Sequence, residues 1–187
     1  MAVRRALISV FDKTGLDRFA AGLVELGVEL VASGGTAAYI SELDLPVTPV
    51  DALTDVPEML GGRVKTLHPR IHGAILARRD VDADVDALAE HGIEPFDLVC
   101  VNLYPFAQVA ARKDVREEEA VEMIDIGGPS MLRGAAKNFA HVAPLCRPAD
   151  YEPVLAELRA EGELSHETRR RLAATAFATS AAYEAAI

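Results

Sequence analysis

An apolar run over residues 3–10 (Val-Arg-Arg-Ala-Leu-Ile-Ser-Val) gives way to Asp12-Lys-Thr-Gly and then to an apolar-periodic stretch from Leu16 to Leu26, closed by Gly27. The same order follows at once: Val28-Glu-Leu-Val-Ala runs into Ser33-Gly-Gly-Thr, and helical periodicity resumes from Ala37 to Leu43. Such alternation builds parallel strands joined by crossover helices, which cover both faces of the sheet. With Pro46-Val-Thr-Pro-Val as a short third strand, the expected fold is a three-layer α/β/α sandwich around a mainly parallel sheet. At 187 residues the chain has the size of one ordinary domain, spanning residues 1–187.

The pattern breaks from Asp51 to Leu76, where Gly61-Gly-Arg-Val-Lys-Thr-Leu-His-Pro69 is too irregular for a buried element. A long loop inside a compact domain is usually functional. Order returns with a helix near residues 82–91, a strand at Leu98–Val101, helical segments within 105–123 and a glycine turn at Asp125-Ile-Gly-Gly-Pro. A helix, a strand ending at Cys146 and helices over about 150–161 and 166–187 complete the chain. The last helix has no Gly stop or basic final turn, so the chain reads as a piece of something longer.

A net charge of −10 argues against a nucleic-acid or anionic-membrane surface, and an anionic ligand would need a local basic pocket. Cys100 and Cys146 each end an apolar run and read as buried, reduced thiols. The stretch Ala6-Leu-Ile-Ser-Val-Phe stops at Asp12, too short for a secretory signal, and no run approaches transmembrane length. The expected compartment is the cytoplasm.

Open α/β sheets bind ligands at the carboxyl ends of their strands, where the turns lie. Ser33-Gly34-Gly35-Thr36 offers backbone N–H groups at a helix start, room for close approach and two hydroxyls, which suit a phosphate. A plain capping turn explains the glycines as well. The first turn, with Ser9 and Lys13, projects to the same edge and adds a hydroxyl and a cation. Arg outnumbers Lys 15 to 4, and Lys13, Lys65 and Lys137 lie in or just beyond glycine-bearing segments, where a compact ammonium differs chemically from a guanidinium. Lys113, beside Arg112 and Asp114, reads as solvated. Asp125 is most simply a helix cap, and Tyr104 stands at the carboxyl edge of the strongest apolar strand or packs in its turn. His68 and His72 are four apart, but Pro69 disfavours a regular helix there and no third ligand lies at metal spacing, so no metal is expected. Arg169-Arg170-Arg171 reads as a solvated face.

Together, Ser33-Gly-Gly-Thr, Gly62-Arg-Val-Lys-Thr-Leu-His-Pro, Val101-Asn-Leu-Tyr-Pro-Phe and Asp125-Ile-Gly-Gly-Pro-Ser…Ala135-Ala-Lys-Asn resemble the IMP cyclohydrolase domain of the bifunctional enzyme that ends purine biosynthesis. The resemblance covers essentially the whole chain. It implies a methylglyoxal synthase-like fold with five strands, dehydrative closure of formyl-AICAR to IMP without a cofactor, a homodimer, and normal fusion to a C-terminal AICAR transformylase domain. It puts the 5′-phosphate on Ser9, Lys13, Ser33, Gly34, Gly35 and Thr36. The base and reacting groups fall near Arg63, Lys65, Thr66, Asn102, Tyr104, Asp125, Ile126, Gly127, Gly128 and Lys137.

On the chemistry of these groups, Lys65, assisted by Tyr104, is expected to stabilise the developing oxyanion and donate a proton, and Asp125 to accept or orient the carboxamide N–H. Lys137 fits less easily, because a straight helix from Gly128 rising about 1.5 Å per residue carries it about 14 Å along the axis. A phosphometabolite sensor or a methylglyoxal synthase are alternatives on the same fold. A sensor needs the anchor but not Lys65, Tyr104 and Asp125, while the long Asp51–Leu76 segment leaves room for more than a triose phosphate.

Overall fold

Alternation of apolar side chains along the first strand sorts the core into two layers. The computed structural model describes residues 1–56 and 60–187. β1 (Arg5–Ser9) and α1 (Leu16–Glu25) lead to β2 (Glu29–Ala32), α2 (Gly34–Glu42) and β3 (Thr48–Pro49). α3 (Val50–Thr54), α4 (Pro69–Leu76) and α5 (Asp82–Glu90) precede β4 (Leu98–Val101). Next come α6 (Phe106–Ala110), α7 (Glu117–Glu122), α8 (Gly127–Lys137), β5 (Ala143–Leu145), α9 (Tyr151–Glu161) and α10 (His166–Glu184). The five strands lie in the order β3-β2-β1-β4-β5 and every neighbouring pair is parallel, so the sheet is wholly rather than mainly parallel.

Successive strand residues face opposite sides. Ala6 and Ile8 join Leu16, Phe19 and Leu23 of α1 and Val154, Leu155 and Leu158 of α9 in one layer. Leu7 joins Ile71 and Ile75 of α4, Met131 and Leu132 of α8, and Ala173 and Ala176 of α10 in the other. β4 is buried at all four positions because helices cover both its faces, which explains its unbroken apolar run. Cys100 and Cys146 are buried thiols, as their apolar neighbours predict. At the amino edge, Asp97 accepts the backbone N–H groups of Arg4 and Arg5 at 2.7 and 2.9 Å and pairs with Arg79, tying β1 to β4.

The expected irregular segment from Asp51 to Leu76 needs correction on both sides of residues 57–59, which lie outside the described residues. Val50–Thr54 is helical, Leu60–Gly62 is a 3₁₀ turn, and Pro69–Leu76 is a regular helix. Pro69 does not break that helix but starts it. Its fixed φ suits the first helical position, where no N–H is needed, and the His68 side chain caps the end by accepting the Arg70 N–H. Burial of Ile71, Ala74 and Ile75 then holds the helix to the sheet. The helix after Ser33 likewise begins at Gly34 rather than Ala37, which places the glycines inside its first turn.

Candidate active site

Two crossover turns meet at the carboxyl edge of the sheet. The Ser9 and Ser33 hydroxyls, one at the end of each neighbouring strand, are 2.6 Å apart. The first N–H groups of α2, at Gly34 and Gly35, have no acceptor within the helix and carry its partial positive charge. Thr36 is 3 % exposed, and its hydroxyl accepts the Val10 N–H while donating to the Val10 carbonyl. Its single proton is therefore committed, and the side chain staples α2 to the first turn. Only its main chain is left to face an anion.

Asn102 also bonds a neighbouring loop. Its side-chain oxygen accepts the N–H groups of Phe11 and Asp12 at 2.6 and 3.0 Å, and its amide donates to the Asp12 carbonyl at 2.8 Å. It shapes the loop that carries Lys13. The Lys13 ammonium, donating to the Val10 carbonyl, has its pKa lowered by burial against the opposing pull of Asp12.

Residues 60–67 close over these turns. The Lys65 ammonium lies 3.5 Å from Asp51, and a Cβ on Gly34 would stand 3.4 Å from it, so the charge sits directly above the start of α2. Arg63 pairs with Glu122 at the exposed rim. Tyr104 packs edge-on against Phe11, and burial together with Asp125 raises its pKa while Lys65 pulls it down. Asp125 is itself raised by burial, an effect opposed by the N–H groups of Gly128 and Tyr104. Its carboxylate accepts the Gly128 N–H at 2.8 Å, and its own N–H donates to the Tyr183 hydroxyl at 2.7 Å.

These groups line one cavity of about 790 Å³, large enough for a nucleotide. Its wall contains Ser9, Lys13, Ser33, Gly34, Gly35, Thr36, Arg63, Lys65, Thr66, Asn102, Tyr104, Asp125, Ile126, Gly127 and Gly128, each of which sequence reasoning assigns to the site. Lys137 is the exception. Helix α8 runs unbroken from Gly127 to Lys137 and leaves that side chain exposed on its final turn, away from the cavity wall. Three contributors escape the sequence: Asp51 beside Lys65, Glu122 at the rim, and Tyr183 behind Asp125. No local pattern marks a partner supplied from so far along the chain.

The cavity thus joins unpaired helix-start N–H groups and two hydroxyls to an ammonium, a phenol and a carboxylate, with the phenol in electrostatic reach of both charges. Comparisons with known proteins show which family the chain belongs to. Bifunctional purine biosynthesis protein PurH of Elusimicrobium minutum is 58% identical over 187 residues, covering 99% of this chain and 36% of that protein. The Listeria innocua PurH is 56% identical over 185 residues, with the same coverage. The chain therefore spans about a third of the length of these curated relatives. Among solved structures, one described as the crystal structure of ForH superposes with a TM-score of 0.85 at 41% identity, covering 99% of this chain and 97% of that one. Residues 135–187 match the AICARFT/IMPCHase bienzyme family model. A match to the MGS-like domain model runs over residues 15–130 and takes in the Ser33 turn, the 60–67 loop and Asp125, so the chain belongs to the MGS-like domain family.

Proposed function

We propose that this chain is an IMP cyclohydrolase, closing the second purine ring of formyl-AICAR with loss of water to give IMP, the last step of de novo purine biosynthesis. The observation that carries the reading is the union, in one cavity, of the α2 anion cradle with Lys65, Tyr104 and Asp125. Identity of 54–58% with proteins named for purine biosynthesis supports it. A phosphate sensor would need the cradle alone.

In this reading the 5′-phosphate rests on the first N–H groups of α2, the Ser9 and Ser33 hydroxyls and Lys13. The base lies between Arg63, Tyr104 and Ile126. The carboxamide nitrogen attacks the formyl carbon, and the carbonyl electron pair moves onto oxygen. Asp125 takes the proton from nitrogen. Lys65, with Tyr104, stabilises the oxygen and protonates it to a hydroxyl. The formamide nitrogen then forms the new C=N bond and gives its own proton to solvent, while the hydroxyl takes a second proton and leaves as water. Anchoring by the phosphate holds two groups of one molecule at reacting distance, and alignment of this kind lowers barriers by up to about 7–11 kcal/mol. Atoms and electrons balance without a redox partner or cofactor.

Mixing the purified chain with formyl-AICAR should convert its ultraviolet spectrum to that of IMP. A spectrum unchanged although the nucleotide binds would overturn the reading in favour of a sensor. Lys13→Met should weaken IMP binding by about 1.5–3 kcal/mol, the scale of one charge-assisted hydrogen bond, as read by calorimetry. Unchanged affinity would remove Lys13 from the cradle.

The same proposal includes a homodimer, a cytoplasmic setting, and an AICAR transformylase domain as partner in the longer relatives. A net charge of −10 supports small-molecule rather than nucleic-acid partners. Among the described residues no helix is long and apolar enough to cross a membrane.

A further inference from the structure

We infer that Tyr183, at the far end of α10, is a positioning residue for Asp125, holding the main chain of the 123–128 turn so that the carboxylate stays on the Gly128 N–H. The inference rests on the ring-closure reading for what Asp125 does. The Tyr183 hydroxyl accepts the Asp125 N–H at 2.7 Å and donates to the Met123 carbonyl at 3.2 Å. Both partners belong to the backbone of one turn, and that turn has solvent on one side, with Ile126 60% exposed. The element behind it is anchored in the core, since α10 buries Leu172, Ala173, Ala176 and Ser180. With its one proton given to Met123, the hydroxyl has none left for a substrate. Its part is therefore to hold rather than to react.

Asp125 shares the cavity wall with Lys65, Arg63, Glu122 and Tyr104, the last within its electrostatic reach, and Tyr183 reaches it from α10, with Glu184 acting on the Tyr183 phenol. Burial raises the Tyr183 pKa, so it is neutral wherever a carboxyl titrates. Tyr183→Phe consequently leaves every charge in place and removes only the tie.

The test is the titration of Asp125 by carboxyl-carbon NMR, with the signal assigned from Asp125→Asn. In Tyr183→Phe the midpoint should rise by about half a unit or more, because a loosened turn withdraws an N–H that favours the charged form. kcat should fall about tenfold and its acid limb should move to higher pH, with KM for formyl-AICAR unchanged, as expected when only the transition state loses an interaction. Tyr151→Phe removes another buried hydroxyl, one bonded to Cys100, and should leave the Asp125 titration where it was. In the unaltered protein the Asp125 amide should exchange slowly with deuterium, a measurement that needs no variant. An unmoved midpoint in Tyr183→Phe, or an Asp125 amide exchanging at the unprotected rate, overturns the inference. Failure of the wild-type chain to close the ring sinks the functional reading instead, while titration and exchange still decide the tie.

Discussion

Lys65→Met should lower kcat for ring closure by at least about 10²–10³-fold, the loss seen when a positioned donor to a developing oxyanion is removed. The dissociation constant for IMP should change far less, because charge on the reacting oxygen exists mainly in the transition state. The structure gives this experiment a second possible answer. Lys65 stands over Gly34, close to where a phosphate would rest, and beside Asp51. If its main task were the phosphate, the variant would bind IMP poorly and turn over the bound substrate at nearly the normal rate. Lys65→Arg separates charge from proton donation. It keeps the charge, yet a guanidinium with a pKa above about 12 gives up no proton readily and its fork displaces the substrate, so little of the rate should return. Near-full activity would move the proton donor to Tyr104 or to solvent.

Gly128→Ala should be almost as damaging, although the residue carries no chemistry. A Cβ there would lie 2.2 Å from one Asp125 carboxylate oxygen and 2.9 Å from its carbon. The carboxylate must swing away, and the N–H that held it at 2.8 Å loses its acceptor. A general base contributes about 10²–10⁴-fold, so kcat should fall by about 10²-fold or more, as it should in Asp125→Asn. Combining the two substitutions should add little, since both remove the same group. Gly128→Ala at full speed would mean that the observed carboxylate position is not the one that works.

The layers and the glycine turn at Ser33–Thr36 were legible because they rest on local patterns: a strand, two glycines and a helical period resuming from Ala37. Pro69 was not, because the same residue ends one helix or begins another, and the buried side of Ile71 and Ile75 decided which. Thr36 and Asn102 stand out in the sequence as candidate site residues, whereas the bonds of their side chains to the neighbouring loops do not. The backbone groups they bind lie 26 and about 90 residues away in sequence, across strands whose pairing a linear reading does not contain. Lys137 followed from the scarcity of lysine and from motif resemblance, and the unbroken run of α8 leaves it off the cavity wall.

The strand order carries a consequence for how this site came to be where it is. From β1 the chain winds outward through β2 to β3, then returns to the other side of β1 and winds outward again through β4 to β5. At the boundary between β1 and β4 the direction of winding reverses, and connections leaving adjacent strands diverge, opening a crevice at their carboxyl ends. Ser9 ends β1 and Asn102 follows β4, so they stand on the two banks of that crevice. The location of the cavity is thus a property of the path of the backbone. Side chains choose what it holds and what happens there, and can be exchanged for other chemistry without moving it.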